Sequence, residues 1–472
     1  MNEQGSTMQR KLVSHSAYIF AIRFFPAAAM LAVAIVFSHE LPPEIFGVYQ
    51  QLWVDSAILI ALASMGIVPL LLTHDALSIN RWLLTLKARQ GALFGIWVLL
   101  LGVVLIFLLR HYPLFPVPML FLLLVMQVGL LLCETYLIVN QRMLQAAIIS
   151  AFYAILFFGI HYLFLLDWFS FSALIWWIVA LSLARFLVLL LVSRKIFTLR
   201  TLDLRRRNMP VAIRKQWLQL GIYDISQVAF RYIDKFAISL LVGPALFSVY
   251  FIGTTDVPFM ALMLGAVGNS LLQQMAHGEK THSSRVKLLY TSGTLLAVVV
   301  FPVFFYLFFF RTEFIVFVFS EKYLAAVPLF AISILALPLR AYNYTSLLQH
   351  LNLVKIINIG AVLDLGIACG LAVPLYLWKG LMGVAFAFMI SSYLQAGFYL
   401  FHTSKAVQLP IWKLIPWRQW IAMFVLYGLL GLGLHFLLVH SFGHRLGLFL
   451  GAAATAIIIF VSLSPIFFSR KK

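Results

Sequence analysis

Long apolar segments dominate this sequence and constrain it more than any other feature. Fourteen stretches of about 20 residues or more are separated by short polar segments. A helix needs roughly 20 apolar residues to cross the hydrocarbon core of a bilayer, whereas a membrane strand needs only about 9–11. Lipid offers no partner for backbone N–H and C=O groups, so a spanning segment must satisfy them internally. The sequence therefore predicts an all-α polytopic membrane protein.

Composition excludes a soluble protein. Hydrophobic residues make up 63% of the chain, charged residues only 10%, and the mean hydropathy is +1.01. A soluble protein of this length would need far more polar residues to cover its surface. The predicted spans are 14–38, 46–73, 90–109, 117–139, 145–166, 171–193, 217–241, 246–274, 288–310, 323–346, 356–377, 380–402, 419–438 and 446–468.

The basic residues indicate the orientation of the chain. If the spans alternate from a cytoplasmic N-terminus, 24 of the 34 Lys and Arg residues fall in cytoplasmic segments, five on the opposite face and five within spans. Short cytoplasmic loops carry such an excess. We therefore expect a multi-pass protein of the cell inner membrane with both termini in the cytoplasm. The net charge of +19 comes mainly from basic residues in these short loops, where it indicates topology. No nucleic-acid partner is therefore expected.

A basic segment at 194–216 divides the predicted helices. It is either a plain cytoplasmic connector, attracted to anionic lipid, or a docking segment for a partner. Residues 1–193 would form an N-lobe of six helices, residues 217–402 a C-lobe of six, and residues 403–472 the last two helices.

A short repeat supports two related lobes. Pro43–Tyr49 follows the first span and Pro244–Tyr250 follows the seventh, and both fit P-x-(I/L)-F-(G/S)-V-Y at a separation of 201 residues. Six intervening spans is an even number, so both copies have the same orientation in the membrane. The sequence therefore predicts a parallel pseudo-repeat of two six-helix lobes, followed by two C-terminal helices.

Three stretches carry a resemblance to a known family. They are HELPPEIFGVYQQ (39–51), IDKFAISLLVGPALFSVYFIG (233–253) and the segment 317–391, which contains G-x-x-G-V-A-x-A before the twelfth span. Together with the span count they resemble the polysaccharide-transporter family, the Wzx-type O-antigen flippases. This family belongs to the MOP exporter superfamily and is related to the MATE drug exporters.

The resemblance implies a MATE-like fold of two lobes around a central cavity. It also implies a flippase that moves an undecaprenyl-pyrophosphate-linked oligosaccharide, such as an O-antigen or other surface-polysaccharide unit, across the inner membrane by alternating access. Such a protein serves lipopolysaccharide or polysaccharide biosynthesis without being an enzyme, and it needs no cofactor. The expected partners are the lipid-linked oligosaccharide, membrane lipid and other glycan-assembly proteins, and we expect a monomer.

Ionisable residues at membrane depth are the candidate site, because they are costly there and commonly functional. In the seventh span, Arg231 and Lys235 follow Asp224 by 7 and 11 residues, which places all three on one helical face. The candidates for substrate binding in a central cavity are Arg23, Arg185, Arg231, Lys235 and Arg340. The candidates for ion coupling or charge pairing are Asp55, Asp224, Asp234, Asp256 and Asp364.

Two interpretations of these charges stay open at this point. A cationic face suits a pyrophosphate head group, since the arginine fork pairs with phosphate oxygens. Alternatively, the charges form internal salt bridges that only stabilise packing. The acids could carry H⁺ or Na⁺ for coupling or simply partner the basic residues. The twelve histidines form no cluster with metal-like spacing to a carboxylate, and no metal site is expected.

Two rival functions are also considered. A cation-coupled multidrug exporter of the related MATE branch would favour acids and aromatics in its cavity, which the Arg and Lys residues within the spans oppose. A membrane-embedded glycan polymerase or ligase would need an extended outer loop for its catalytic groups, and the longest predicted loop is cytoplasmic.

Overall fold

The structure is a computed structural model that describes residues 3–73, 88–109, 117–200, 211–257, 260–277, 282–351 and 353–468. It is almost entirely helical in these residues and contains no strand in them. The α-helices are α1 (Glu3–Glu40), α2 (Pro43–Ser64), α3 (Ile67–Leu72), α4 (Ala88–Leu109), α5 (Val117–Val139), α6 (Met143–Leu165), α7 (Phe171–Arg200), α8 (Val211–Leu241), α9 (Pro244–Gly253), α10 (Met260–His277), α11 (His282–Phe309), α12 (Arg311–Phe319), α13 (Val327–Ser333), α14 (Ser346–His350), α15 (Val354–Lys379), α16 (Leu381–Val407) and α17 (Trp417–Phe468). Short 3-10 helices lie at Glu321–Ala326, Ile334–Ala341 and Ile411–Lys413.

Eleven helical segments in the described residues are long and apolar enough to cross a membrane. The last of them, Trp417–Ser464, is 48 residues long and covers both final predicted spans. Gly443 interrupts it with a φ of 75°, which glycine adopts without steric cost. The predicted span 217–241 falls on α8, and 246–274 falls on α9 and α10. The prediction of an all-helical, multi-pass membrane protein is confirmed.

Three predicted spans are interrupted where the sequence suggested continuous α-helices. The second is broken at Met65 and Gly66, both with positive φ. The eighth is broken between Gly253 and Met260. The tenth, 323–346, consists of a 3-10 helix, α13 and a second 3-10 helix, which ends at Ala341 and contains Pro338. Proline supplies no amide hydrogen and crowds the preceding turn, so regular α-helix is disfavoured there.

The chain forms two compact units, Met1–Tyr232 and Ile233–Lys472. In the first, α1 packs along α6 and α5 along α7. In the second, α15 packs along α16 and α11 along α17.

The boundary between the units lies inside α8, whereas the predicted division lay before it, at 194–216. The N-terminal half of α8 packs on residues of the first unit, as described below. The second unit also includes the residues 403–472 that the sequence set apart. Of the basic connector, residues 201–210 lie outside the described residues.

The two copies of the repeat have equivalent local structures. Pro43 begins α2 and Pro244 begins α9, in each case at a first helical position that proline favours. Each copy ends in a buried tyrosine, Tyr49 or Tyr250, that hydrogen bonds to a polar side chain of its own unit. The motif therefore marks the start of a helix, and a hydrogen bond inside the same unit holds its tyrosine.

Candidate functional site

The charged face of α8 is formed as the spacing predicted. Val211–Leu241 is one helix, so Asp224, Arg231 and Lys235 project from the same side. Arg231 is exposed, while Asp224 and Lys235 are half-buried. No salt bridge to Arg231 forms within the described residues. Its guanidinium is therefore open to a ligand.

Asp224 lies where three helices of the first unit meet. Its carboxylate is a hydrogen-bond neighbour of Ser64, the last residue of α2, and an electrostatic neighbour of Arg23 on α1. Arg23 is exposed and, in the part of the chain that the structure describes, forms no salt bridge within 4.0 Å. The site thus combines the carboxylate of Asp224 with the guanidinium groups of Arg23 and Arg231, neither of which forms a salt bridge to any residue that the structure describes.

A close backbone contact holds this part of α8 against the first unit. A Cβ atom on Gly66 would overlap the Cα of Gly221, and one on Gly221 would overlap the carbonyl oxygen of Met65. The indole Nε1 of Trp217 donates a hydrogen bond to that same oxygen at 2.8 Å. The turn between α2 and α3 therefore fixes α8 one turn before Asp224.

Lys235 has a partner within the second unit. Its Nζ lies 3.4 Å from Oδ2 of the neighbouring Asp234. The hydroxyl of Tyr250 donates to the same oxygen at 3.2 Å. Asp234 is buried and its other oxygen, Oδ1, has no hydrogen-bond partner among the described residues. The charge on Lys235 is thus balanced locally, unlike that on Arg231.

Arg185 forms a buried cluster inside the first unit. Its Nη2 donates to Oε1 of Glu134 and, at 3.0 Å, to the hydroxyl of Ser150. The guanidinium carbon lies 4.3 Å from the ring centroid of Tyr153, a cation–π contact. The side chains of Arg185 and Glu134 are only 8% and 12% exposed. These internal partners occupy the guanidinium, so we leave Arg185 out of the proposed binding set.

Asp256 and Arg340 do not lie inside regular α-helices, which corrects their predicted placement. Asp256 lies in the non-helical residues after α9, where Thr254 and Thr255 hydrogen bond back to the helix backbone and end it. Arg340 lies in the 3-10 helix Ile334–Ala341. The two side chains pair at 3.6 Å but are 71% and 43% exposed, so the pair contributes little to stability.

Two acids are enclosed by the protein. Asp55 on α2 is 1% exposed, and its Oδ2 lies 3.5 Å from the amide nitrogen of Gln51. Asp364 on α15 is 0% exposed, and neither of its oxygens has a hydrogen-bond partner among the described residues. Ser391 on α16 is the polar side chain beside it. A buried carboxylate is costly without a compensating proton or cation, so both acids are candidates for ion coupling.

The structure also assembles a carboxylate–histidine cluster that sequence reasoning missed. Oε1 of Glu313 on α12 lies 2.9 Å from Nδ1 of His444 and 3.4 Å from Nε2 of His435. Both histidines are more than 120 residues from Glu313 in sequence, so no local spacing could reveal the contact. No group of three or more His, Cys, Asp or Glu residues in the described ranges could hold a metal ion.

Comparison with known proteins places the fold. No protein-family model matches the chain, and no curated protein matches its sequence. Among solved structures, one described as lipid II flippase MurJ in an inward closed conformation superposes with a TM-score of 0.65 at 15% identity, covering 97% of this chain and 99% of that one. An inward-facing multidrug-resistance MATE family transporter of the MOP superfamily superposes with a TM-score of 0.55 at 13% identity, covering 80% and 94%.

This chain has the MurJ and MATE fold. The MATE-like fold that the resemblance implied is therefore confirmed. Identities of 13–15% establish the fold alone, and cargo must be argued from the side chains.

Proposed function

We propose that this protein is a flippase for an undecaprenyl-pyrophosphate-linked oligosaccharide of a bacterial surface polysaccharide. The observation that carries the proposal is the pair of exposed guanidinium groups, Arg23 on α1 and Arg231 on α8, both in the first unit and both without salt bridges in the described residues. Guanidinium groups bind phosphate oxygens in a bidentate manner. The fold supports the same class of cargo, since a structure that it resembles over almost its whole length is described as a lipid II flippase.

In the proposed mechanism, Arg23 and Arg231 bind the anionic head group from the cytoplasmic side. Alternating access then exposes the head group to the other face, while the lipid tail stays in the bilayer. Lys235 and Arg340 have acidic partners of their own and would engage the cargo only after exchanging them. Asp224 competes with phosphate for Arg23 and would help to release the head group.

Ion coupling is assigned to the enclosed acids. Asp364, and secondarily Asp55, would bind H⁺ or Na⁺, because each carboxylate has at least one oxygen that no described residue hydrogen bonds. Asp234 and Asp256 have basic partners and act in charge pairing. The protein would act as a monomer in the inner membrane, with both termini cytoplasmic, alongside other glycan-assembly proteins.

A cation-coupled drug exporter is the second candidate, and the fold shared with a MATE transporter favours it. Two exposed guanidinium groups within the membrane oppose cationic cargo by like-charge repulsion. A membrane-embedded polymerase or ligase has no counterpart among the two structural neighbours, which are transporters.

The test is charge removal in cells. The full chain is expressed in a panel of flippase-deficient strains with defined glycans, and surface glycan is quantified against the amount of protein in the membrane. Each charge-assisted hydrogen bond contributes about 1.5–3 kcal/mol, so Arg23→Gln with Arg231→Gln should reduce export at least tenfold. Arg89→Gln, at an exposed position at the start of α4, is the matched control and should export normally. Normal export by the double variant would overturn the proposal, and drug resistance without glycan export would favour the exporter.

A further inference from the structure

A cavity of about 800 Å³ lies in the second unit, apart from the charged face of α8. Its lining comes from the segment between α16 and α17, from the first residues of α17, from the start of α11 and from the end of α16. Its lining includes Tyr290, Val407, Trp412, Lys413, Trp417 and Arg418. Such a volume is in the range of small-ligand sites.

The segment that carries the rim is held firmly. The Ser404 hydroxyl donates to the carbonyl of Leu409 at 2.6 Å, and the Tyr342 hydroxyl donates to the carbonyl of Leu414 at 3.0 Å. Leu414 is fully buried. Even so, Trp412 is 70% exposed. The backbone of the segment between α16 and α17 is thus held in place while the indole ring of Trp412 is exposed.

The rim alternates aromatic and basic residues. Trp412 is followed by Lys413, and Trp417 by Arg418, and all four side chains are exposed. Tryptophan is enriched at the head-group level of membranes, where its ring is apolar and its N–H meets polar groups. Basic residues at the same level attract anionic lipid. This pattern indicates contact with the head-group region of the bilayer.

The charge at the rim has no acid nearby in sequence to neutralise it. The last acidic residue in the chain is Asp364, so residues 365–472 contain no Asp or Glu. Residues 280–312, which include α11, contain none either. Near the cavity, Lys405 in the last turn of α16 adds a further positive charge, with its Nζ 4.3 Å from the ring centroid of Phe401. The walls of the cavity thus combine positive charge with apolar surface.

We propose that this cavity binds one anionic phospholipid. Lys413 and Arg418 hold the phosphate, since ammonium and guanidinium groups form charge-assisted hydrogen bonds with its oxygens. Val407 and the ring of Tyr290 contact the upper acyl chains, and Trp412 and Trp417 flank the head group. The site is independent of cargo transport and binds a structural or regulatory lipid.

Native mass spectrometry of the detergent-purified full chain tests this directly. Phosphatidylglycerol and zwitterionic phosphatidylethanolamine are titrated separately, and the fraction of lipid-bound protein is measured. Wild-type protein is expected to retain one phosphatidylglycerol with at least tenfold higher affinity than phosphatidylethanolamine. Lys413→Gln with Arg418→Gln should lower that affinity at least tenfold. Lys379→Gln with Arg445→Gln removes the same charge elsewhere in the second unit and should change it less than twofold.

Three outcomes would overturn the proposal. One is equal retention of the two lipids by wild-type protein, and another is an unchanged phosphatidylglycerol affinity in Lys413→Gln with Arg418→Gln. The third is complete displacement of phosphatidylglycerol by millimolar inorganic phosphate, which would mark a site for phosphate alone. Thermal unfolding of the variants without added lipid distinguishes a loss of binding from a loss of fold. Trp412→Ala, which keeps both charges, should weaken phosphatidylglycerol binding severalfold.

Discussion

The hydroxyl of Tyr49 on α2 lies 2.7 Å from Nε2 of His161 on α6, and both side chains are buried. The other ring nitrogen, Nδ1, lies 2.6 Å from the carbonyl oxygen of Phe157. Because a carbonyl can only accept, Nδ1 carries the hydrogen and Nε2 accepts from Tyr49. His161 is thus a satisfied neutral histidine that ties two helices of the first unit together.

Tyr49→Phe should destabilise the protein. The substitution leaves Nε2 of His161 buried without a donor, which costs about 1–3 kcal/mol in the free energy of unfolding. Thermal unfolding in detergent measures it. Tyr162→Phe, at an exposed position on the same helix as His161, is the control and should change stability by less than about 0.5 kcal/mol. Equal stability of the two variants would contradict the assigned hydrogen bond.

Arg185 and Glu134 should behave as a coupled pair. Breaking a buried ion pair from one side leaves an uncompensated charge and costs about 3–5 kcal/mol. Arg185→Gln and Glu134→Gln are each expected to lower stability by that order, and the double variant by less than the sum. A double-mutant cycle on thermal stability measures the coupling. If Arg185→Gln abolished glycan export while leaving stability unchanged, Arg185 would belong in the binding set after all.

The contact between Gly66 and Gly221 should tolerate no side chain. Gly66→Ala places a Cβ against the backbone of α8 and puts alanine at a φ of 73°, which alone costs about 1–2 kcal/mol. Gly221→Ala pushes against the carbonyl of Met65. Both variants should unfold at lower temperature than wild type. Gly95→Ala on α4 has open space around its Cβ and should be neutral or stabilising by up to about 1 kcal/mol.

Asp364→Asn separates ion coupling from stability. The amide has nearly the same shape but no charge, so the cost of burying an unpaired charge is removed while two unpaired N–H donors are added. These effects oppose each other, and stability should stay within about 1 kcal/mol of wild type. Glycan export should fall at least tenfold, since the variant cannot take up H⁺ or Na⁺. Asp167→Asn, an exposed acid after α6, is the control. Unchanged export would exclude Asp364 as a coupling residue.

Part of the site could be predicted because helical period is a local property. The face shared by Asp224, Arg231 and Lys235 follows from α8 being one helix, and the equivalent roles of Tyr49 and Tyr250 follow from the repeat. The electrostatic interaction of Arg23 with Asp224 relates α1 to α8, about 200 residues apart, and nothing in either segment specifies it.

The sequence by itself determined that this is an all-helical membrane protein with two repeated helix starts. Hydrocarbon allows only a backbone whose hydrogen bonds are internal, and an apolar stretch of about 20 residues therefore indicates a spanning helix. Only the tertiary structure decided which charges are open and which are paired. Arg185 and Arg231 are both basic residues within predicted spans, yet one meets Glu134 and the other forms no salt bridge in the described residues. The physical reason is that pairing requires atoms within about 4 Å, and packing of helices distant in sequence sets that distance.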